Sequence, residues 1–252
     1  MSGVVRDEWF TGSGGARLAL HRMGEGRPVV MLHGLFSSAA VNWIKFGTAA
    51  QLADAGFECL MPDLRVHGQS EAPHDPEAYP PDVLVDDVMA LVAHLGLADF
   101  DLVGFSLGAR TAARAVLAGL KPRRLVLSGM GLEGLAGWAG RRDFFLDVID
   151  RFDTIRHGDP AFQARSFLKT MGVDRTAARL LLGTMEDTEP EALGAITMPT
   201  LVLCGAEDDD NGSADRLAEA LPDAVRVTIP GTHMSSVTRP ELGAELVRFL
   251  AP

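Results

Sequence analysis

Short, continuously apolar runs separated by amphipathic stretches organise most of the chain. Trp9–Thr11 and Ala16–His21 flank the Gly12–Gly15 turn and alternate in polarity, which predicts an N-terminal hairpin. Pro28–His33, Phe57–Met61, Phe100–Val103, Arg124–Ser128, Thr200–Cys204 and Val225–Ile229 read as strands. Uniformly apolar strands of this type are buried on both faces, as in parallel sheets. Helix-like sequence lies between them. Ala49–Ala55 ends at Gly56, a residue suited to the position after a helix C-cap. Pro81–Leu95 carries Val85, Val88, Met89, Val92 and Leu95 on one stripe, with Asp82 as N-cap. Residues 109–118, Ala214–Leu221 and Glu241–Leu250 supply further helices. Strand and helix alternate, so the expected fold is α/β, with a mostly parallel central sheet covered by helices on both faces.

Residues 131–193 break this rhythm. They hold no strand-like run, and helical patterns recur at Asp143–Thr154, Ala161–Met171 and Thr176–Asp187. Three helices between two sheet strands are too many for an ordinary crossover. The expected organisation is therefore a core of residues 1–130 and 194–252 with an inserted helical lid at 131–193. Phe144, Phe145, Phe152, Phe162, Phe167, Met171 and Met185 mostly pack such a lid onto the core. One apolar, adaptable face is left to close over a site.

Apolar residues make up 47% of the chain and charged residues 23%, an ordinary balance for a folded globular protein. The net charge of −11 argues against nucleic acid as a partner, because phosphate binding needs clustered Lys and Arg. It also disfavours a polyanionic substrate, unless one pocket departs from the average. Met1–Arg17 is polar and glycine-rich rather than a basic leader followed by an apolar run, and no window resembles a membrane span. Cys59 and Cys204, the only cysteines, fall inside apolar runs. They read as core residues, with no disulfide framework and no zinc-ligand spacing, which fits a reducing cytoplasm. Nothing in the sequence fixes an oligomeric state.

The chemistry centres on Gly104-Phe105-Ser106-Leu107-Gly108, set between an apolar strand and a run of helix formers. A serine at a tight strand-to-helix turn, with glycines two residues either side, is the layout of a nucleophile elbow. A hydroxyl needs a base to take its proton, and the base needs an orienting carboxylate. Of seven histidines, His21, His74, His94 and His157 do not follow a late strand. His233 does: it lies just past Val225–Ile229, at the carboxyl edge where sites on open α/β sheets form. The preceding strand leads into Glu207-Asp208-Asp209-Asp210, which supplies the carboxylate.

These motifs resemble the α/β-hydrolase fold family, and the likeness runs nearly the length of the chain. His33-Gly34 matches the family's HG dipeptide after the third strand. The resemblance implies an oxyanion hole built from the backbone N–H groups of Leu35 and of Leu107, the residue after the serine. Asp63-Leu-Arg65-Val66-His67-Gly68-Gln69-Ser70 is similar to the family's D-x-R-G-H-G-x-S loop, here read as structural. Val66 stands where the family has glycine, so a different backbone is expected there. Pro199–Asp208 resembles P-x-L-V-x-x-G-x-x-D, which selects Asp208 over Asp209 and Asp210. Pro230-Gly-Thr-His233 matches the histidine loop.

A serine nucleophile excludes the aspartate-dependent dehalogenase and epoxide-hydrolase branches. Met234 follows the histidine where carbon–carbon bond hydrolases carry a nearby Trp, which disfavours that branch. The resemblance then implies a serine hydrolase acting on esters or lactones of small to medium apolar substrates. Ser106, His233 and Asp208 would be catalytic, with no metal or organic cofactor. Cofactor-free perhydrolases of the haloperoxidase type, and ligand receptors on the same fold, are the alternatives.

Overall fold

The computed structural model describes residues 3–251; Met1, Ser2 and Pro252, at the ends of the expected core, lie outside them. Eight strands form one sheet: β1 (Arg6–Thr11), β2 (Arg17–Met23), β3 (Arg27–Leu32), β4 (Phe57–Pro62), β5 (Asp101–Phe105), β6 (Leu125–Ser128), β7 (Thr200–Glu207) and β8 (Ala224–Thr232). Their spatial order is β1-β2-β4-β3-β5-β6-β7-β8. The β1–β2 hairpin pairs antiparallel and joins β4 antiparallel; all remaining pairs are parallel. The predicted mixed but mostly parallel sheet is what forms.

Alternating side chains divide the core into two layers. Val30, Leu32, Leu102, Leu125, Leu127 and Val202 face one layer, while Val29, Met31, Val103, Val126, Leu201 and Leu203 face the other. This period of two, with both faces apolar, requires helices on each side. The first layer is covered by α2 (Val83–His94), α3 (Leu107–Leu117) and α8 (Ala214–Ala220), the second by α1 (Thr48–Asp54) and α10 (Pro240–Leu250). Gly56 follows α1 with a positive φ of 86°, as its place after the C-cap predicts. Asp82 stands at the N-cap position of α2, but its side chain does not cap the helix. Its carboxylate instead accepts from Arg114 Nε at 2.7 Å, an ion pair to α3 outcompeting the local bond.

Between β6 and β7 the chain forms four helices rather than three: α4 (Leu132–Ala136), α5 (Trp138–Asp150), α6 (Phe162–Met171) and α7 (Arg175–Leu182). The glycine-rich residues 131–140 conceal the first two starts. Trp138 N–H at the head of α5 donates to Asp187 Oδ1 at 2.6 Å, a cap from far along the chain. Asp174 caps α7 from its own sequence, accepting from Ala177 N–H at 2.9 Å. Cys59 and Cys204 are buried free thiols, and burial pushes them up to about 12 and about 11 respectively.

The loop after β4 is the structural fastener that its motif suggests. Arg65 is fully buried and bonds Asp87 of α2 twice, at 3.0 and 2.8 Å, as well as the carbonyls of Ala78 and Ser13. Asp63 accepts from the N–H groups of Ala39 and Gln69, each at 2.8 Å, and from His21 at 3.1 Å. Val66, expected to alter the backbone, adopts φ of 77°, the left-handed conformation a glycine would take. A β-branched residue there costs on the order of 1–2 kcal/mol. The buried bonds of its neighbours hold the loop in that shape.

Two outcomes follow. Asp87→Ala leaves the Arg65 guanidinium buried without a carboxylate and should destabilise the fold by about 3–5 kcal/mol. Urea denaturation reads this directly, and Arg65→Met with Asp87→Leu should cost less than the single change. His21 bonds Asp63 and Asp7, which raises its pKa to about 9 against the opposing effect of burial. A raised folded pKa contributes stability that is complete below about 6.5 and lost as pH climbs through about 9. Unfolding free energy should therefore fall between those pH values, and His21→Gln should flatten that decline.

Candidate active site

The sheet changes winding direction between β3 and β5, which lie side by side although β4 intervenes in sequence. Crevices at the carboxyl ends of such strands are where open α/β sheets place ligands. Leu35 follows β3 there, and Ser106 follows β5. Ser106 has φ 52° and ψ −112°, a strained conformation for a residue with a side chain. The strain is imposed by close crossing. A Cβ on Gly104 would lie 2.3 Å from Gly108 O, and one on Gly108 would lie 2.1 Å from Leu32 O. Only glycine at both positions lets β5 turn this sharply into α3 beneath β3. The result projects the serine at the head of α3, whose first N–H groups lack partners from a preceding turn.

The predicted base and acid come to it from β8 and β7. His233 Nε2 is 3.0 Å from Ser106 Oγ, and His233 Nδ1 is 3.0 Å from each Asp208 carboxylate oxygen. The Asp208 side chain is 1% exposed and that of His233 9%, so water competes little for either bond. The arrangement fixes Nδ1 as the protonated nitrogen and leaves Nε2 to accept from the serine hydroxyl. Asp209 and Asp210 are exposed and make no such contact.

Two local devices aim these side chains. The β7–β8 pairing slips between Gly205 and Glu207, a bulge that turns both strand ends toward the serine. His233 then opens a short helix, α9 (His233–Ser236), rather than a loop. Thr232 and Ser235 form a reciprocal capping box at its start, fixing the backbone of the histidine. The His233 ring also packs on Phe105 with centroids 5.0 Å apart.

The loop bearing Leu35 is held by its own buried bonds. His33 Nδ1–H donates to Gly34 O at 2.8 Å while Nε2 accepts from Leu64 N–H at 2.9 Å. Burial holds His33 below the ordinary histidine range and pushes His67 down to about 3. Both rings are therefore neutral structural pieces. Gly34 N–H donates to Asn42 Oδ1 at 3.1 Å, Asn42 lying in a π-helical turn, Ala40–Ile44.

Leu35, Ser106 and Leu107 border one cleft with Arg110, Met130, Gly134, Trp138, Arg141 and Asn211. The cleft is narrow, with room for the centre of a water-sized sphere over only about 20 Å³. Gly134, Trp138 and Arg141 come from α4 and α5, so the insertion forms one wall. Asn211 Nδ2–H donates to Gly129 O at 2.7 Å and ties the acid-bearing loop to the end of β6. Sequence reasoning missed Asn211, Trp138 and Arg141, because nothing local distinguishes them from other loop and helix residues. Among the described residues no group of three or more His, Cys, Asp or Glu side chains is placed to hold a metal ion, and no helix is long and apolar enough to cross a membrane.

Residues 27–130 match the model of the α/β hydrolase fold. A non-heme haloperoxidase from Rhodococcus erythropolis is 28% identical, the match covering 96% of this chain and 98% of that protein. The AB hydrolase superfamily protein YisY from Bacillus subtilis is also 28% identical, over 76% of this chain and 78% of its own. Among solved structures, an esterase from Exiguobacterium antarcticum superposes with a TM-score of 0.80 at 19% identity, over 98% of this chain and all (100%) of that one. The sheet order, the strained serine turn and these likenesses agree on the architecture: the chain adopts the α/β-hydrolase fold.

Proposed function

We propose that the protein hydrolyses carboxylic esters or lactones through Ser106, His233 and Asp208. The observation that carries this reading is the unbroken line from Ser106 Oγ to His233 Nε2 and from Nδ1 to the Asp208 carboxylate, each step 3.0 Å. In that arrangement His233 takes the serine proton as Oγ attacks the carbonyl carbon, and Asp208 stabilises the imidazolium that forms. The carbonyl oxygen, now negative, lies against the N–H groups of Leu35 and Leu107, which border the same cleft as the serine. Each such donor is worth roughly 10²–10³ in rate. His233 then gives its proton to the departing alcohol, and water repeats the cycle on the acyl-enzyme.

Leu35, Leu107, Met130 and Trp138 make much of the cleft wall apolar, which suits a compact acyl group. The helices of the insertion, by forming part of that wall, act as the lid. A perhydrolase activity uses the same acyl-enzyme with peroxide in place of water, and the haloperoxidase relative favours testing it alongside. Ser106→Ala should lower ester turnover by about 10⁴-fold or more while the protein stays folded, since the three groups act as one unit. Steady-state assays with chromogenic esters, with circular dichroism as the folding control, read this. A variant that kept substantial activity would place the nucleophile elsewhere.

A further inference from the structure

One corner of the cleft is cationic, against the trend of a chain with net charge −11. Two arginines line it beside Ser106, and they are held very differently. Arg110, on α3 one turn beyond the serine, is 3% exposed. It is committed to the insertion, donating to the carbonyls of Gly134, Leu135 and Glu186 and to Asp187 Oδ1 at 3.2 Å. Its Nε–H, also buried, has no partner among the described residues.

Arg141, on α5, has no carboxylate oxygen within 4.0 Å among the described residues, although other insertion arginines, such as Arg151 and Arg179, are ion-paired. It donates only to the backbone carbonyl of Asp210. Asp208 and Asp210 face it electrostatically, but Asp208 is already occupied by His233 and the Asp210 side chain is exposed. The side chain is half-buried, with its guanidinium carbon 5.8 Å from the centroid of the Phe145 ring, and its remaining N–H groups have no hydrogen-bond partner among the described residues. A planar fork of donors in a partly dry cleft matches a carboxylate far better than it matches a hydrocarbon.

We infer that Arg141 binds a carboxylate on the acyl portion of the substrate, so that the preferred substrates are half-esters or lactones of dicarboxylic acids. This rests on the ester-hydrolase reading of the same site. The apolar wall of Leu35, Leu107, Met130 and Trp138 takes the methylene chain between the scissile carbonyl at Ser106 and the distal carboxylate at Arg141. The buried Arg110 adds a second positive charge behind the chain without contacting the ligand. The apolar preference read from the sequence then describes the middle of the substrate and not its end.

The test pairs 4-nitrophenyl hydrogen adipate with its neutral counterpart, in which the distal carboxylate is capped as a methyl ester. Release of nitrophenol should show a kcat/KM for the acid roughly tenfold to a hundredfold above the capped ester, carried mainly by KM. Arg141→Gln should bring that ratio to about one, and Arg141→Lys should retain part of it, because a point charge lacks the fork. If Arg141 is only a latch between α5 and the Asp208 loop, its removal lowers both substrates equally, and the inference fails. Calorimetry with adipate separates this inference from the reading beneath it. Arg141-dependent adipate binding without turnover of either ester would overturn ester hydrolysis and leave the carboxylate site standing. Turnover with no preference for the acid and no adipate binding would overturn the carboxylate site alone.

Discussion

The close crossing of β5, α3 and β3 at Gly104 and Gly108 is the constraint on which the site depends. With a Cβ at either glycine, backbone atoms would sit nearer than 2.5 Å to it, and the strand could not turn into the helix within one residue. That residue is Ser106, held at φ 52°. The strain is local, and the surrounding sheet and the almost wholly buried α3 over-determine it. One turn therefore sets three things: the exposure of the hydroxyl at the sheet edge, the placement of Leu107 N–H, and the nearness of Gly34, whose Cβ position lies 3.5 Å from that of Ser106.

The second arm of the cleft is maintained from below. Leu35 is carried by a loop whose glycine is gripped on two sides, by His33 at its carbonyl and Asn42 at its N–H. Under that loop lies the Asp63–Val66 segment, where buried bonds from Asp63 and Arg65 sustain a left-handed valine. Histidines that look chemically interesting in the sequence serve here as neutral spacers. His33 and His67 are too deeply buried to ionise easily, and His21 closes an ion pair to Asp63.

Much of this was legible in the chain because it is written locally. Apolar runs marked every strand of the parallel sheet to within a few residues, and the pentapeptide around Ser106 carried its own strand and helix. Strand ends pointed to His233 and to the acidic run Glu207–Asp210, within which the family resemblance, and not position alone, singled out Asp208. What escaped is non-local. Trp138 starts α5 by donating to a carboxylate nearly fifty positions away, so the first turn of that helix looked like loop. Asp82 had the residue type of a cap but was claimed by Arg114 across the layer. Val66 broke the motif in sequence and kept it in space, because tertiary bonds outweigh a backbone preference of a few kcal/mol at most. Arg141 and Asn211 reach the cleft from the insertion and from an acidic loop, segments whose folding no short pattern encodes.

The central claim is that Ser106 is the nucleophile because His233 activates it. The most direct measurement is covalent labelling with a fluorophosphonate, read by intact mass and peptide mapping. The expected result is a single adduct on Ser106 in the native protein, with labelling slowed by orders of magnitude in His233→Ala. An adduct on another residue, or equal labelling of Ser106 with and without the imidazole, would contradict it.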